Sequence, residues 1–167
     1  MNAVATLPAL PALLRIHLPA FSPVGMPRPR AVAFAGHARV YTPTTSKGAQ
    51  AKDAIRIAAE RAVAELSWPL TPRGIALSVR VVAEFGIPAS RSKKRRAADL
   101  GGPHAQKPDC DNCAKLVMDS LTGIVWTDDD QVASLTILKR WAEVPSLTIY
   151  VETCATLAPD HNGGEGT

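Results

Sequence analysis

Ile75-Ala76-Leu77-Ser78-Val79-Arg80-Val81-Val82-Ala83-Glu84-Phe85 is the stretch on which the fold turns. Ile75, Leu77, Val79, Val81, Ala83 and Phe85 alternate with Ser78, Arg80 and Glu84. A period of two puts one set of side chains on a core and the other nearer solvent, as in a strand covered on one face. Upstream, 13–18 reads as a first strand. The segment 23–30 carries three prolines, which cannot sit in the middle of a sheet because proline offers no ladder donor. Residues 31–34 and 39–41 flank Gly36 like the arms of a short hairpin. Ser46 then stands where a helix cap belongs, ahead of Ala51, Ile55, Ala58, Ala62 and Leu66 at helical spacing. Lys52, Arg56, Glu60 and Arg61 occupy the other sides of that helix, and Pro69 and Pro72 end it.

Downstream of the strand, 86–106 is basic and contains Gly and Pro, which reads as a mobile loop. A second helix is expected over 111–121, with Cys110, Ala114, Val117 and Leu121 as its core stripe and Gly123 as its stop. Strands over 132–138 and 147–151 close the domain. The expected fold class is α+β: a mixed, largely antiparallel sheet of about five strands with two main helices. One domain spans 13–154, between flexible tails at 1–12 and 155–167.

The chain of 167 residues fits one such domain. An apolar fraction of 46% excludes a disordered chain, and a net charge of +4 permits contact with a polyanion without demanding it. Three cysteines do not make a disulfide framework, which points to a reducing compartment and a cytoplasmic protein. The apolar N-terminal stretch is broken by prolines, Arg15 and His17 and lacks a positively charged start. It reads as neither a membrane span nor a signal peptide.

The chemistry lies in Lys107-Pro108-Asp109-Cys110-Asp111-Asn112-Cys113-Ala114-Lys115, followed by Asp119, Gly123 and Asp128-Asp129-Asp130-Gln131-Val132. Asp109 and Asp111 stand at the mouth of the second helix. In an extended chain, residues two apart point the same way, so both carboxylates can converge on one cation. Lys115 and Asp119 follow Asp111 at successive intervals of four, on the face opposite the apolar stripe. A helix followed by a neighbouring strand can bring the Asp128-Asp129 turn back beside the helix start. Crowded carboxylates repel unless a cation neutralises them, and hard oxygen ligands suit Mg²⁺ or Mn²⁺. Such an ion polarises a phosphate and activates water, while a lysine stabilises charge developing on the phosphate. Residue types alone leave plainer readings open: Asp109 and Asp111 as helix caps, Asp128 to Asp130 as a solvated turn, Lys115 and Asp119 as a surface ion pair.

The string Lys-Pro-Asp-x-Asp-Asn-x-x-Lys-x-x-x-Asp-x-Leu-x-Gly, then Asp-Asp-x-Gln-Val, is similar to the signature of RusA-type Holliday junction resolvases. Gly25-Met26-Pro27-Arg28-Pro29-Arg30 and Tyr41-Thr42-Pro43 resemble the start of that family, so the likeness runs from about residue 13 to 152. The resemblance implies a homodimeric, Mg²⁺-dependent endodeoxyribonuclease (Mn²⁺ substituting) that nicks four-way DNA junctions in symmetric pairs during recombination and repair. It implies Asp109, Asp111 and Asp129 as catalytic metal ligands and Lys115 as a catalytic lysine. Asp128 is a weaker ligand candidate and Asp119 weaker still. Asp130 fills a variable position.

Basic residues are candidates for DNA contact beside such a site: Arg91, Lys93, Lys94, Arg95 and Arg96, with Lys107, Arg28 and Arg30. Cys110 and Cys113 form a Cys-x-x-Cys that lacks a second pair to complete a zinc site, and they fall on or near the buried stripe as small hydrophobes. Trp68, Trp126 and Trp141 are expected to pack rather than stack on bases. Two rivals stand beside the resolvase reading: a nuclease for flaps or other branches, and a protein that grips branched DNA without cutting it.

Overall fold

The computed structural model describes residues 11–25, 30–34, 37–41 and 46–154; for 30–34 and 37–41 it describes the backbone. Among the described residues are six strands and three helices: β1 Leu14–Pro19, β2 Arg30–Phe34, β3 His37–Tyr41, α1 Lys47–Leu66, β4 Leu77–Gly86, α2 Lys93–Asp99, α3 Cys110–Leu121, β5 Val132–Ala142 and β6 Ser146–Thr153. A 3-10 turn, Asp129–Gln131, leads into β5. Of the expected tails, 1–12 and 155–167, all but residues 11 and 12 lie outside the described residues.

Four strands form the main sheet in the order β1-β6-β4-β5, and β2-β3 make a separate antiparallel hairpin. β1 and β4 run antiparallel to β6, while β4 and β5 are parallel. The sheet is thus mixed and largely antiparallel, as expected, with β2 and β3 split off as the hairpin. β4 shows why its alternation was legible. Leu77, Val79, Val81, Ala83 and Phe85 are buried on one face, and Arg80 is exposed on the other.

α1 and α3 cover the apolar face, α1 over β1 and against α3, α3 over β5. Ser46 caps α1 by accepting from the Ala49 N–H at 3.2 Å. Its buried stripe is Gly48, Ala51, Ile55 and Ala59; Leu66, expected inside, is exposed at the helix end. α3 is rotated from expectation. It buries Cys113, Leu116, Val117, Ser120 and Leu121, while Cys110 is exposed. Ser120 is tolerated inside because its hydroxyl donates to the Leu116 carbonyl at 2.6 Å. The opposite face of the sheet carries polar groups, with Arg80 over the Tyr150 ring and Arg140 paired to Glu84 at 2.7 Å.

The segment 86–106 is not the loop expected from its composition. It contains α2, capped by Ser92 accepting from the Arg95 N–H at 3.4 Å. The residues after α2 then run along the end of β5. Gly101 N–H donates to the Trp141 carbonyl, Trp141 N–H to the Gly102 carbonyl, and His104 N–H to the Lys139 carbonyl. Trp68, Trp126 and Trp141 are all buried, as expected for packing side chains.

Candidate active site

Asp109 is the N-cap residue of α3. Its backbone is extended, and its carbonyl accepts from the Cys113 N–H at 3.1 Å. Its carboxylate makes no capping hydrogen bond, so capping does not explain it. Asp111 lies in the first turn of the helix; both residues are exposed. The macrodipole at this helix end favours negative charge there. Lys115 lies one turn further along. Among the described residues, none of Asp109, Asp111, Lys115 and Asp119 belongs to an ion pair, so the plain surface-pair reading of Lys115 and Asp119 is not realised.

The turn carrying Asp109 is closely packed. The Lys107–Pro108 peptide is cis. Lys139 of β5 donates its ammonium to the Gln106 carbonyl at 2.6 Å and the Pro108 carbonyl at 2.5 Å. Pro23, Val24 and Gly25 line an open cleft of about 430 Å³ together with Lys107, Pro108, Asp109 and Asn112. Neither Lys139 nor its role was marked in the sequence, yet a signal was there. Ile137, Lys139 and Trp141 share one phase of β5, and a lysine on that phase calls for a polar partner.

The Asp128-Asp129 turn sits elsewhere. The Gln131 side-chain oxygen accepts from the N–H groups of Thr127 and Asp128, and its amide donates to the Pro72 carbonyl. The Thr127 N–H and hydroxyl both donate to the Thr71 carbonyl. Trp126 meets Thr122 at the C-terminal end of α3. Asp128 accepts from Arg73 at 2.6 Å, a partner that no sequence motif marks; Asp129 is exposed. Val132 pairs with Leu77 at the start of β4, whereas Lys139 pairs with Ala83 six residues on. At about 3.3 Å per residue, the two ends are roughly 20 Å apart. α3 and β5 run in opposite senses, so the turn joining them lies at the helix end and not beside its start. Consistently, no three His, Cys, Asp or Glu side chains are grouped as a metal site among the described residues. Asp109 and Asp111 suit a hard cation in donor chemistry, but Asp129 of the same chain does not join them.

The remaining candidates divide. Lys93, Lys94 and Arg95 project from α2 into solvent and Arg96 is half-buried. Arg91 instead pairs with Asp99 and lies 4.3 Å from the centre of the Trp141 ring, pinning α2 to β5. Lys107 is exposed. Arg28 lies outside the described residues, as does the side chain of Arg30. Cys113 packs near Phe21, Val24, Ala83 and Leu116, and burial pushes its thiol up to about 11. A thiol held protonated is poorly suited to redox or zinc chemistry, and Cys110 is exposed to solvent instead.

Exposed carboxylates and a lysine on the first turns of α3 are of the donor types that phosphodiester chemistry uses. The chain belongs to the RusA family: the profile of Endodeoxyribonuclease RusA matches residues 20–152. It is therefore an endodeoxyribonuclease of the Holliday junction resolvase type, a hydrolase acting on DNA phosphodiester bonds. It is also similar to a Bacillus subtilis (strain 168) protein, "Uncharacterized protein YqaN", at 28% identity over 131 residues, 77% of this chain and 89% of that one. No helix among the described residues is long and apolar enough to cross a membrane.

Proposed function

We propose that this chain works as a homodimer in the cytoplasm, resolving four-way DNA junctions in recombination and repair by paired, symmetric, Mg²⁺-dependent nicks. Mn²⁺ would substitute. Asp109 and Asp111 hold the ion from one chain, and Asp129 of the partner subunit completes the set. The observation that carries this reading is the separation of the two halves of the motif to opposite ends of α3, with Asp109 and Asp111 exposed and uncommitted. A second copy supplies what one chain lacks, and a two-fold dimer then presents two equivalent sites to a two-fold junction.

When bound, the ion supplies Lewis-acid polarisation of the scissile phosphate and a more acidic attacking water. The chain's own groups do the rest. Lys115, one turn beyond Asp111, stabilises charge growing on the phosphate oxygens. Lys93, Lys94, Arg95 and Arg96 of α2 grip the DNA backbone, with Lys107 beside the Asp109 turn; Arg28 and Arg30 extend that grip from the proline-rich segment. Arg73 holds Asp128 in place, which makes Asp128 a supporting residue of its turn. Hydrolysis leaves a 5′-phosphate and a 3′-hydroxyl.

The test is nicking of a synthetic four-way junction in Mg²⁺ by the wild type and by Asp111→Asn, with linear duplex and flap substrates alongside. Paired nicks confined to the junction, lost in the variant with binding retained, support the reading. Preferential cutting of flaps moves the specificity to another branch. Binding without cutting in any divalent metal overturns the catalytic assignment.

A further inference from the structure

We infer that Lys139 is a positioning residue for the metal-binding end of α3, fixing the direction in which Asp109 presents its carboxylate. This rests on the reading of Asp109 and Asp111 as ligands. Lys139 holds the incoming chain at three successive points. Its backbone carbonyl accepts from the His104 N–H at 3.0 Å, and its ammonium donates to the carbonyls of Gln106 and Pro108. The last of these belongs to the residue immediately before Asp109. Bonds from a charged donor are roughly twice as strong as neutral ones, and an ammonium can donate three, so one side chain can clamp both carbonyls at once.

The anchor itself is rigid. Lys139 lies within β5, level with Ala83 of the buried strand β4, and its ammonium is 5.9 Å from the centre of the Phe85 ring. The exposed turn is thereby tied to the edge strand of the main sheet and not to other surface groups. No other side chain among the described residues bonds the backbone carbonyls of 106–109. A methionine of similar length fills the same space and bonds neither carbonyl. The turn then keeps its place in the chain but loses its set direction, and the carboxylates lose part of their pre-alignment toward an ion.

The experiment compares the wild type, Lys139→Met, Lys139→Arg and Asp109→Asn as full chains. Mn²⁺ binding is measured by calorimetry without DNA, junction binding in Ca²⁺, melting temperature, and the Mg²⁺ needed for half-maximal nicking. Lys139→Met is expected to weaken Mn²⁺ binding by about 10-fold to 100-fold, the usual loss when a ligand's support is removed. It is expected to raise the Mg²⁺ requirement in step, with junction binding and melting temperature close to wild type. Lys139→Arg, which keeps charged donors, recovers part of the loss. Unchanged Mn²⁺ affinity in Lys139→Met, or a loss explained by a lowered melting temperature alone, overturns the positioning role. In that case Asp109→Asn still abolishes nicking if the reading of the site is right. An Asp109→Asn chain as active as the wild type removes that reading and the role of Lys139 together.

Discussion

Gly25 faces Pro108 so closely that a Cβ at Gly25 would stand 3.0 Å from the Cβ of Pro108 and 3.1 Å from that of Asn112. The segment that opens the family resemblance therefore rests directly on the turn that presents Asp109. Neither neighbouring atom is the far end of a flexible side chain, so an added methyl group must displace the turn or the segment. Gly25→Ala is expected to destabilise the protein by about 1–3 kcal/mol, the cost of overpacking a close contact, and to lower nicking more than junction binding. Urea unfolding and single-turnover nicking measure the two effects. An alanine variant with wild-type stability and rate would show that the segment yields freely.

α2 has no buried residue of its own and is held from outside its sequence. Arg91 pairs with Asp99 and covers Trp141, and both partners of the ion pair are largely shielded from water. Arg91→Ala removes the pair and the ring contact together. It is expected to cost about 1–2 kcal/mol, more than a median surface ion pair, and to speed amide hydrogen exchange in 93–99 ahead of the rest of the fold. Uniform exchange across the domain would contradict this account of the anchor.

DNA contact by the exposed face of α2 has a salt signature. Replacing Lys93, Lys94 and Arg95 with alanine is expected to weaken junction binding for all sequences. The slope of log K against log salt should shrink by about 0.9 for each phosphate that is no longer neutralised. Filter binding in Ca²⁺ at several salt concentrations measures it. A slope equal to that of the wild type would place the DNA on another surface.

His104 gives a pH dependence of stability. Its ring stacks on Phe85 at 3.8 Å and meets Trp141 edge-on, and its Nδ1 is buried with no hydrogen-bond partner among the described residues. Burial holds its pKa below the ordinary value, and the charges of Lys139 and Arg91 act in the same direction. The unfolded chain then binds the proton more readily than the folded one. The contribution of neutral His104 is fully present above the ordinary imidazole value of about 6.5. It is lost as pH falls through that value toward the lower folded one. Urea midpoints at pH 7.5 and 5.5 are expected to separate more for the wild type than for His104→Phe; equal separations would contradict the claim.

What the sequence displayed, and what it hid, follows from where the stabilising contacts lie. β4 and α1 were legible because their signals are local: strict alternation in one, and Ser46 at one end with Pro69 beyond the other. α3 was found but turned by part of a revolution. Its buried face includes Ser120, which a count of apolar residues passes over and which only its bond to Leu116 makes tolerable. α2 was missed because Lys-Lys-Arg-Arg-Ala-Ala-Asp has no apolar stripe, and the contact that fixes it reaches Trp141, far along the chain. The carboxylates were legible as a set. Their division between the two ends of α3 was not, because spacing in the chain does not state which way β5 runs against the helix. The partners of Lys139 were hidden for the same reason, since they precede it by more than thirty residues.

Mixing two inactive chains tests the central claim, a site shared between two copies, most directly. Asp109→Asn and Asp129→Asn chains are each prepared alone, and each is expected to bind the four-way junction without nicking it. In a mixed dimer one of the two shared sites draws all its carboxylates from unaltered positions. The mixture is therefore expected to regain junction-specific cutting, as single nicks in place of pairs. A mixture that forms mixed dimers on the junction yet stays as inactive as its components would contradict the shared site.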